Sequence, residues 1–196
     1  MSGPADRGPA GRRQVLVVAA IFLVPLAAAL LLYYGGGWRP AADAHGLLID
    51  PPRALSVAGI VLPDGRPAPT EALEGKWSVV YFASACDERT EALLDELARV
   101  RVALDKDAPR VRRVLLHAGQ CAGVEFGSRD ADLLVLEATG PDGADFIAQF
   151  PPAVDGAPGI YVVDPHGNLM MSYPASGSAR GLLKDMERLL RLSNIG

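Results

Sequence analysis

The chain has 196 residues, room for one domain of ordinary size plus an appendage, with 19 Lys and Arg against 23 Asp and Glu. Four of the basic residues but only Asp6 among the acids precede Ala41, so the chain from residue 41 onward carries a net charge of −7. Such a domain repels phosphate backbones, which argues against nucleic acid as a partner, and 2 cysteines are too few for a disulfide scaffold or a cysteine zinc cage.

Residues 1–14 are rich in Gly, Pro and Arg and read as a disordered cytoplasmic tail. Residues 15–34 hold no charge, and 20 residues at about 1.5 Å rise cross a hydrocarbon core of about 30 Å, which predicts a transmembrane helix. Pro25 is tolerable there because neighbouring groups re-satisfy the freed carbonyl. Arg7, Arg12 and Arg13 precede the span and Arg39 follows it, so the N-terminus is expected in the cytoplasm and the rest outside. The competing reading is a cleaved signal, with Ala42-Asp43-Ala44 as cleavage site and Arg12-Arg13 as a faint twin-arginine feature. The apolar run exceeds the roughly 7–15 residues of a signal core, and the candidate site lies beyond Trp38, an interfacial anchor. An uncleaved anchor is the preferred expectation.

Residues 35–52, opening on three glycines, are expected to form a flexible tether, and 53–196 the folded domain. Within it, 55–62 reads as a strand closed by Pro63-Asp64-Gly65. The run 77–82, Trp-Ser-Val-Val-Tyr-Phe, suits a central strand buried on both faces. Leu93, Leu94, Leu97, Val100 and Leu104 recur at helical spacing after Cys86, with Asp87, Glu88 and Glu91 where acids suit a helix N-terminus. Residues 111–116 give the next strand, parallel to the first by the crossover rule. A loop over 118–130 holds Cys121, 133–136 is a short apolar run, and 144–150 reads as a helix. Residues 160–163 and 169–173 flank Asp164-Pro165-His166-Gly167 as a β-hairpin. A last helix over 179–192 buries Leu182, Leu183, Met186, Leu189 and Leu190. A parallel core, a hairpin and a closing helix make the thioredoxin-like α/β plan, a mixed sheet flanked by helices.

Particular residues sharpen this. Asp64-Gly65, Gly75-Lys76-Trp77, Val79-Val80-Tyr81-Phe82-Ala83 and Cys86 stand in the order found in membrane-tethered thioredoxin-like proteins. Residues 157–167, Ala-Pro-Gly-Ile-Tyr-Val-Val-Asp-Pro-His-Gly, are similar to their second signature. On these residues the chain, over 53–192, resembles the Sco/SenC/PrrC type, the copper-insertion and thiol-redox proteins of cytochrome c oxidase assembly. The resemblance implies a single-pass protein of the bacterial inner membrane with a periplasmic domain. It implies cytochrome c oxidase subunits or other assembly factors as partners, and Pro158 as the cis-proline beside the active cysteines. It also implies a copper site of two cysteines spaced Cys-x-x-x-Cys and a histidine ahead of the hairpin. Here the first cysteine is Cys86, the second position is Thr90, and the histidine position falls on Gly156. Soft thiolates and an imidazole suit both oxidation states of copper; one thiol and a threonine hydroxyl do not.

On the resemblance, Cys86 sits where a central strand turns into a helix, a place that favours thiolate and makes a reactive cysteine; the plainer reading is a vestigial residue. In a thioredoxin sheet the strand before Cys121 runs beside the one before Cys86, so a Cys86–Cys121 disulfide is a further expectation, set against an exposed loop cysteine. Cys86, Cys121 and His117 form the weak candidate metal set, adequate for Cu(I) or zinc; a strand-end histidine is more often a hydrogen-bonded bystander. His166 reads as a solvent-facing turn residue, His45 as part of the tether, and Met170-Met171 as one core side chain and one on the opposite face. The functional expectation is an accessory factor for cytochrome c oxidase that docks in the periplasm, without the usual two-cysteine site and without enzymatic turnover. The alternatives are a thiol–disulfide redox partner using Cys86, with Cys121, and a copper carrier with a relocated site.

Overall fold

The computed structural model describes residues 9–34, 44–83, 85–119, 121, 132–152, 159–193 and 195. The chain divides into two units, Met1–Asp43 and Ala44–Gly196. The first holds one helix, α1 (Pro9–Tyr34), with Pro25 inside it, and its stretch Arg13–Leu31 is long and apolar enough to cross a membrane. Val15, Leu16, Phe22 and Leu31 are exposed on it. Helix begins before the expected span, so 9–14 of the expected tail are helical; Pro9 sits at the first position, where its fixed φ and missing N–H suit a helix start.

The second unit runs β1 (Leu47–Ala54), β2 (Ile60–Val61), β3 (Trp77–Ala83), α2 (Glu88–Ala103), a 3-10 turn (Asp105–Arg110), β4 (Val111–His117), β5 (Leu133–Ala138), α3 (Gly140–Ile147), β6 (Gly159–Val163), β7 (Asn168–Pro174) and α4 (Ala179–Leu192). The strands form one sheet in the order β1-β7-β6-β3-β4-β5-β2. β3, β4 and β5 run parallel, while β6 lies antiparallel on the other side of β3 and is followed by β7 and β1. This is the thioredoxin-like α/β fold.

Alternation along the strands divides the core in two. Trp77, Val79, Tyr81, Val111, Leu115, Ile160 and Val162 meet Leu93, Leu94, Leu97 of α2 and Leu182, Met186, Leu190 of α4. On the opposite face Val80, Val114, Leu116, Leu136, Tyr161 and Val163 meet Phe146 of α3 and Phe150.

The structure departs from the sequence reading where pattern is weak. Residues 47–54, mostly inside the expected tether, form the edge strand β1 on β7. Pro51 and Pro52 and a nearly all-exposed set of side chains leave no apolar alternation to read; the backbone of β7 supplies the pairing. The expected strand over 55–62 shrinks to Ile60–Val61, after Gly59 at φ +70°, where any Cβ would run into Asp142. The short apolar run at 133 extends to a full strand held on β4. α3 starts at Gly140 rather than 144, because Gly-Pro-Asp-Gly reads as a turn although Thr139 and Pro141 make a helix start.

One cation is folded into the core. Arg113 on β4 is 1% exposed, donates Nη1–H to the Leu94 carbonyl at 3.0 Å, and meets Asp132 through Nε at 2.9 Å. Arg101 also approaches Asp132, at 3.3 Å. Burial alone would raise the Asp132 carboxyl, but the hydrogen bond and charge of Arg113, with the charge of Arg101, hold it below the usual carboxylate range. Its stabilising effect is therefore present above the unfolded carboxylate pKa and fades as pH falls through it toward the folded value. Asp132→Asn is expected to cost about 1–3 kcal/mol at neutral pH, because it removes the charge that offsets the buried guanidinium, which keeps its bond to the Leu94 carbonyl. In denaturant melts the gap from the unaltered protein should close as pH drops below about 4.

Candidate functional site

The parallel strands β3 and β4 end together, Ala83 standing in register with His117. Three residues past β3 comes Cys86, and then Asp87, which caps α2 by accepting the Thr90 N–H at 3.0 Å. Four residues past β4 comes Cys121. Their Cα atoms are 5.3 Å apart, within disulfide range, and the two are bonded across a separation of 35 residues. Closing a loop of that length stabilises by about 3–4 kcal/mol on the chain-entropy model.

The two sulfurs are not equivalent. Cys121 is 2% exposed and belongs to the core beside α2. Cys86 is half-buried, at the N-terminus of α2. Of the two cysteines Cys86 is the more exposed, and the helix N-terminus favours charge there, whereas the carboxylates of Asp87, Glu88 and Glu91 in the same turn oppose it.

The neighbours of the pair are engaged elsewhere. Thr90, where the second cysteine of the motif would stand, is 2% exposed and donates its hydroxyl to the Ala85 carbonyl at 2.7 Å. It fastens the loop to the helix. His117 is buried, and its Nδ1 accepts the Gly119 N–H at 3.1 Å, where Gly119 turns the chain at φ +93°. Burial pushes the His117 pKa below the ordinary imidazole value, and the charge of Glu137 on β5 pulls it partly back.

Other candidates lie away from this edge or outside the described residues. His166 is exposed in the β6–β7 hairpin, its backbone N–H donating to Asp164. Met171 is core and Met170 half-buried. His45 is not in a tether: its backbone N–H donates to Asp185 on α4 at 2.8 Å. Pro158, the candidate cis-proline, and Gly156 lie outside the described residues; among those described, the cis peptide bond joins Asp50 to Pro51. Asp185 and Tyr173, which share this contact, carried a missed signal. Asp185 sits on the apolar stripe of α4, between Leu182 and Leu189, and an acid in such a stripe marks a buried, partnered carboxylate.

Copper, which the resemblance implies, can be tested against the donors present. Both thiols are committed to the disulfide, the Thr90 hydroxyl is donated to backbone, and the His117 Nδ1 is occupied. Among the described residues no set of three or more His, Cys, Asp or Glu is placed to hold a metal. With the disulfide closed, these described donors do not fit a copper ion.

Residues 77–193 match the family model described as transmembrane-like, thioredoxin-like, C-terminal domain. The chain belongs to that family. No curated protein sequence matches it. Among solved structures it is similar to apo Sco1 of Thermus thermophilus, at 18% identity and TM-score 0.58 over 77% of this chain and 99% of that one. It is also similar to copper-bound ScoI of Arabidopsis thaliana, at 17% and 0.54 over 72% and 98%, and to copper-bound yeast Sco1, at 16% and 0.55 over 68% and 90%. Identities this low show a shared fold: a member of this thioredoxin-like family has the architecture of Sco proteins.

The state of His117 is checkable. With its folded pKa depressed, the unfolded chain takes up the proton first, so stability falls as pH drops through about 6.5. His117→Asn keeps an acceptor and removes the titration, and its denaturation midpoint should change less between pH 7 and pH 5 than that of the unaltered protein.

Proposed function

We propose that this protein is a membrane-anchored thiol–disulfide partner acting outside the cytoplasmic membrane, in the periplasm of a bacterium, as an accessory factor in cytochrome c oxidase assembly. The observation that carries the thiol reading is the pairing of a half-buried cysteine at a helix N-terminus with a fully buried one from the neighbouring strand's loop. Support for the setting comes from the apolar helix, the arginines ahead of it and the Sco resemblance.

A substrate thiolate attacks Cys86 Sγ; the bond to Cys121 breaks, and Cys121 leaves as a thiolate that takes a proton from solvent. A second substrate thiolate attacks the substrate sulfur of the mixed disulfide and releases Cys86. The substrate dithiol loses two electrons and becomes a disulfide, and the protein disulfide gains them and becomes two thiols. The reverse sequence reduces a substrate disulfide. Cys121 thus serves as the resolving thiol that position 90 lacks.

Docking without thiol chemistry is the second reading, favoured by the structural use of Thr90. Two variants of the full chain separate the two. With oxidised glutathione, Cys121→Ser should acquire a glutathione on Cys86 roughly tenfold or more faster than Cys86→Ser acquires one on the buried Cys121. In cells, Cys86→Ser should lower assembled oxidase; unchanged oxidase would support docking. The purified, reduced protein should hold well under one copper ion per chain, and a stoichiometric ion would favour a relocated copper site instead.

A further inference from the structure

The chain enters its folded unit through a short, tightly clasped segment followed by a loosely held strand. Asp185, 4% exposed, gathers donors with one carboxylate oxygen: the His45 N–H at 2.8 Å, the Gly46 N–H at 3.1 Å and the Tyr173 hydroxyl at 2.9 Å. The other oxygen lies 3.4 Å from the His45 Nδ1. The fit is close enough to require glycine on both sides. A Cβ on Gly46 would overlap the Tyr173 ring, and one on Gly181 would stand 2.7 Å from the His45 Cβ.

β1 is held very differently. It pairs with β7 only at its two ends, Leu47 and Leu48 with Ser172 and Met171, Arg53 and Ala54 with Leu169 and Asn168. Five steps along β1 from Leu48 to Arg53 answer two along β7, so the middle bulges away. Of its side chains only Ile49 is even half-buried, and Leu47 and Leu48 are 57% and 58% exposed. Little apolar surface holds the strand down. Beyond it, the Leu55 N–H donates to the Gly167 carbonyl at 3.0 Å.

We propose that residues 44–54 are a detachable strap, clasped by Asp185 and covering the backbone edge of β7 while closed. Few buried contacts and an edge position are the features of segments that open locally without global unfolding. Opening bares the backbone edge of β7 that β1 now covers. The strap stands independently of the thiol reading.

Hydrogen exchange on the full chain in detergent micelles tests it. In the unaltered protein, amides of 44–54 should exchange roughly tenfold or more faster than those of β3 and β6. Gly181→Ala pushes against His45 while improving helix propensity in α4, and should speed exchange of 44–54 by a further factor of roughly ten, leaving β3, β4 and β6 unchanged. Asp185→Ala should act in the same direction. Exchange of 44–54 in step with β3 and β6 in the unaltered protein would overturn the proposal. So would a Gly181→Ala variant whose strap exchanges no faster.

Discussion

Seven residues of β3 lie in parallel register with seven of β4, from Trp77 against Val111 to Ala83 against His117, and this pairing decides where the chemistry can be. Parallel strands end at the same edge, so the segments that follow them start side by side although far apart in sequence. Both strands are buried on two faces, and slipping either by one residue would turn its apolar set outward. The register is therefore held by the whole core, and the core in turn holds Cys86 and Cys121 within bonding distance.

Buried polar groups fix details that apolar packing leaves loose. Arg113 ties β4 to α2 through the Leu94 carbonyl and to the start of β5 through Asp132. Asp185 ties α4 and Tyr173 to the segment ahead of β1, and with it the Tyr173 hydroxyl, burial foremost and the Asp185 hydrogen bond after it, is kept protonated. Each of these groups would be costly to leave without its partner. They fix the ends of elements, where the sheet and helix ladders stop.

Much of this could be read in the sequence, and the pattern of success has a physical basis. β3, β4, β6 and β7 announce themselves as short apolar runs bounded by turns, and α2 and α4 by burial that follows the helical period, as in the stripe Leu93, Leu94, Leu97, Val100. β1 does not, because an exposed strand with Pro51 and Pro52 is defined only by the partner it lies on. The cysteine at the head of α2 was visible from the strand-to-helix switch. The clasp was not read, since the significance of Asp185 depends on a segment 140 residues away, although its place on an apolar stripe was a usable sign. The Sco resemblance also brings an expectation of copper that the described donors do not meet while the disulfide is closed: Thr90 donates its hydroxyl to Ala85, and the two sulfurs are bonded to each other.

The central claim is that the Cys86–Cys121 pair is chemically exchangeable and not a permanent brace. It rests on a half-buried cysteine at a helix N-terminus, tempered by three adjacent acids, a setting in which thiolates are reactive. The pair's equilibrium reduction potential, read by alkylation and mass after incubation in thiol buffers of known poise, tests this most directly. A value between about −120 and −270 mV, the range of working thiol–disulfide proteins, is expected. A potential below about −300 mV, typical of structural disulfides, would contradict it.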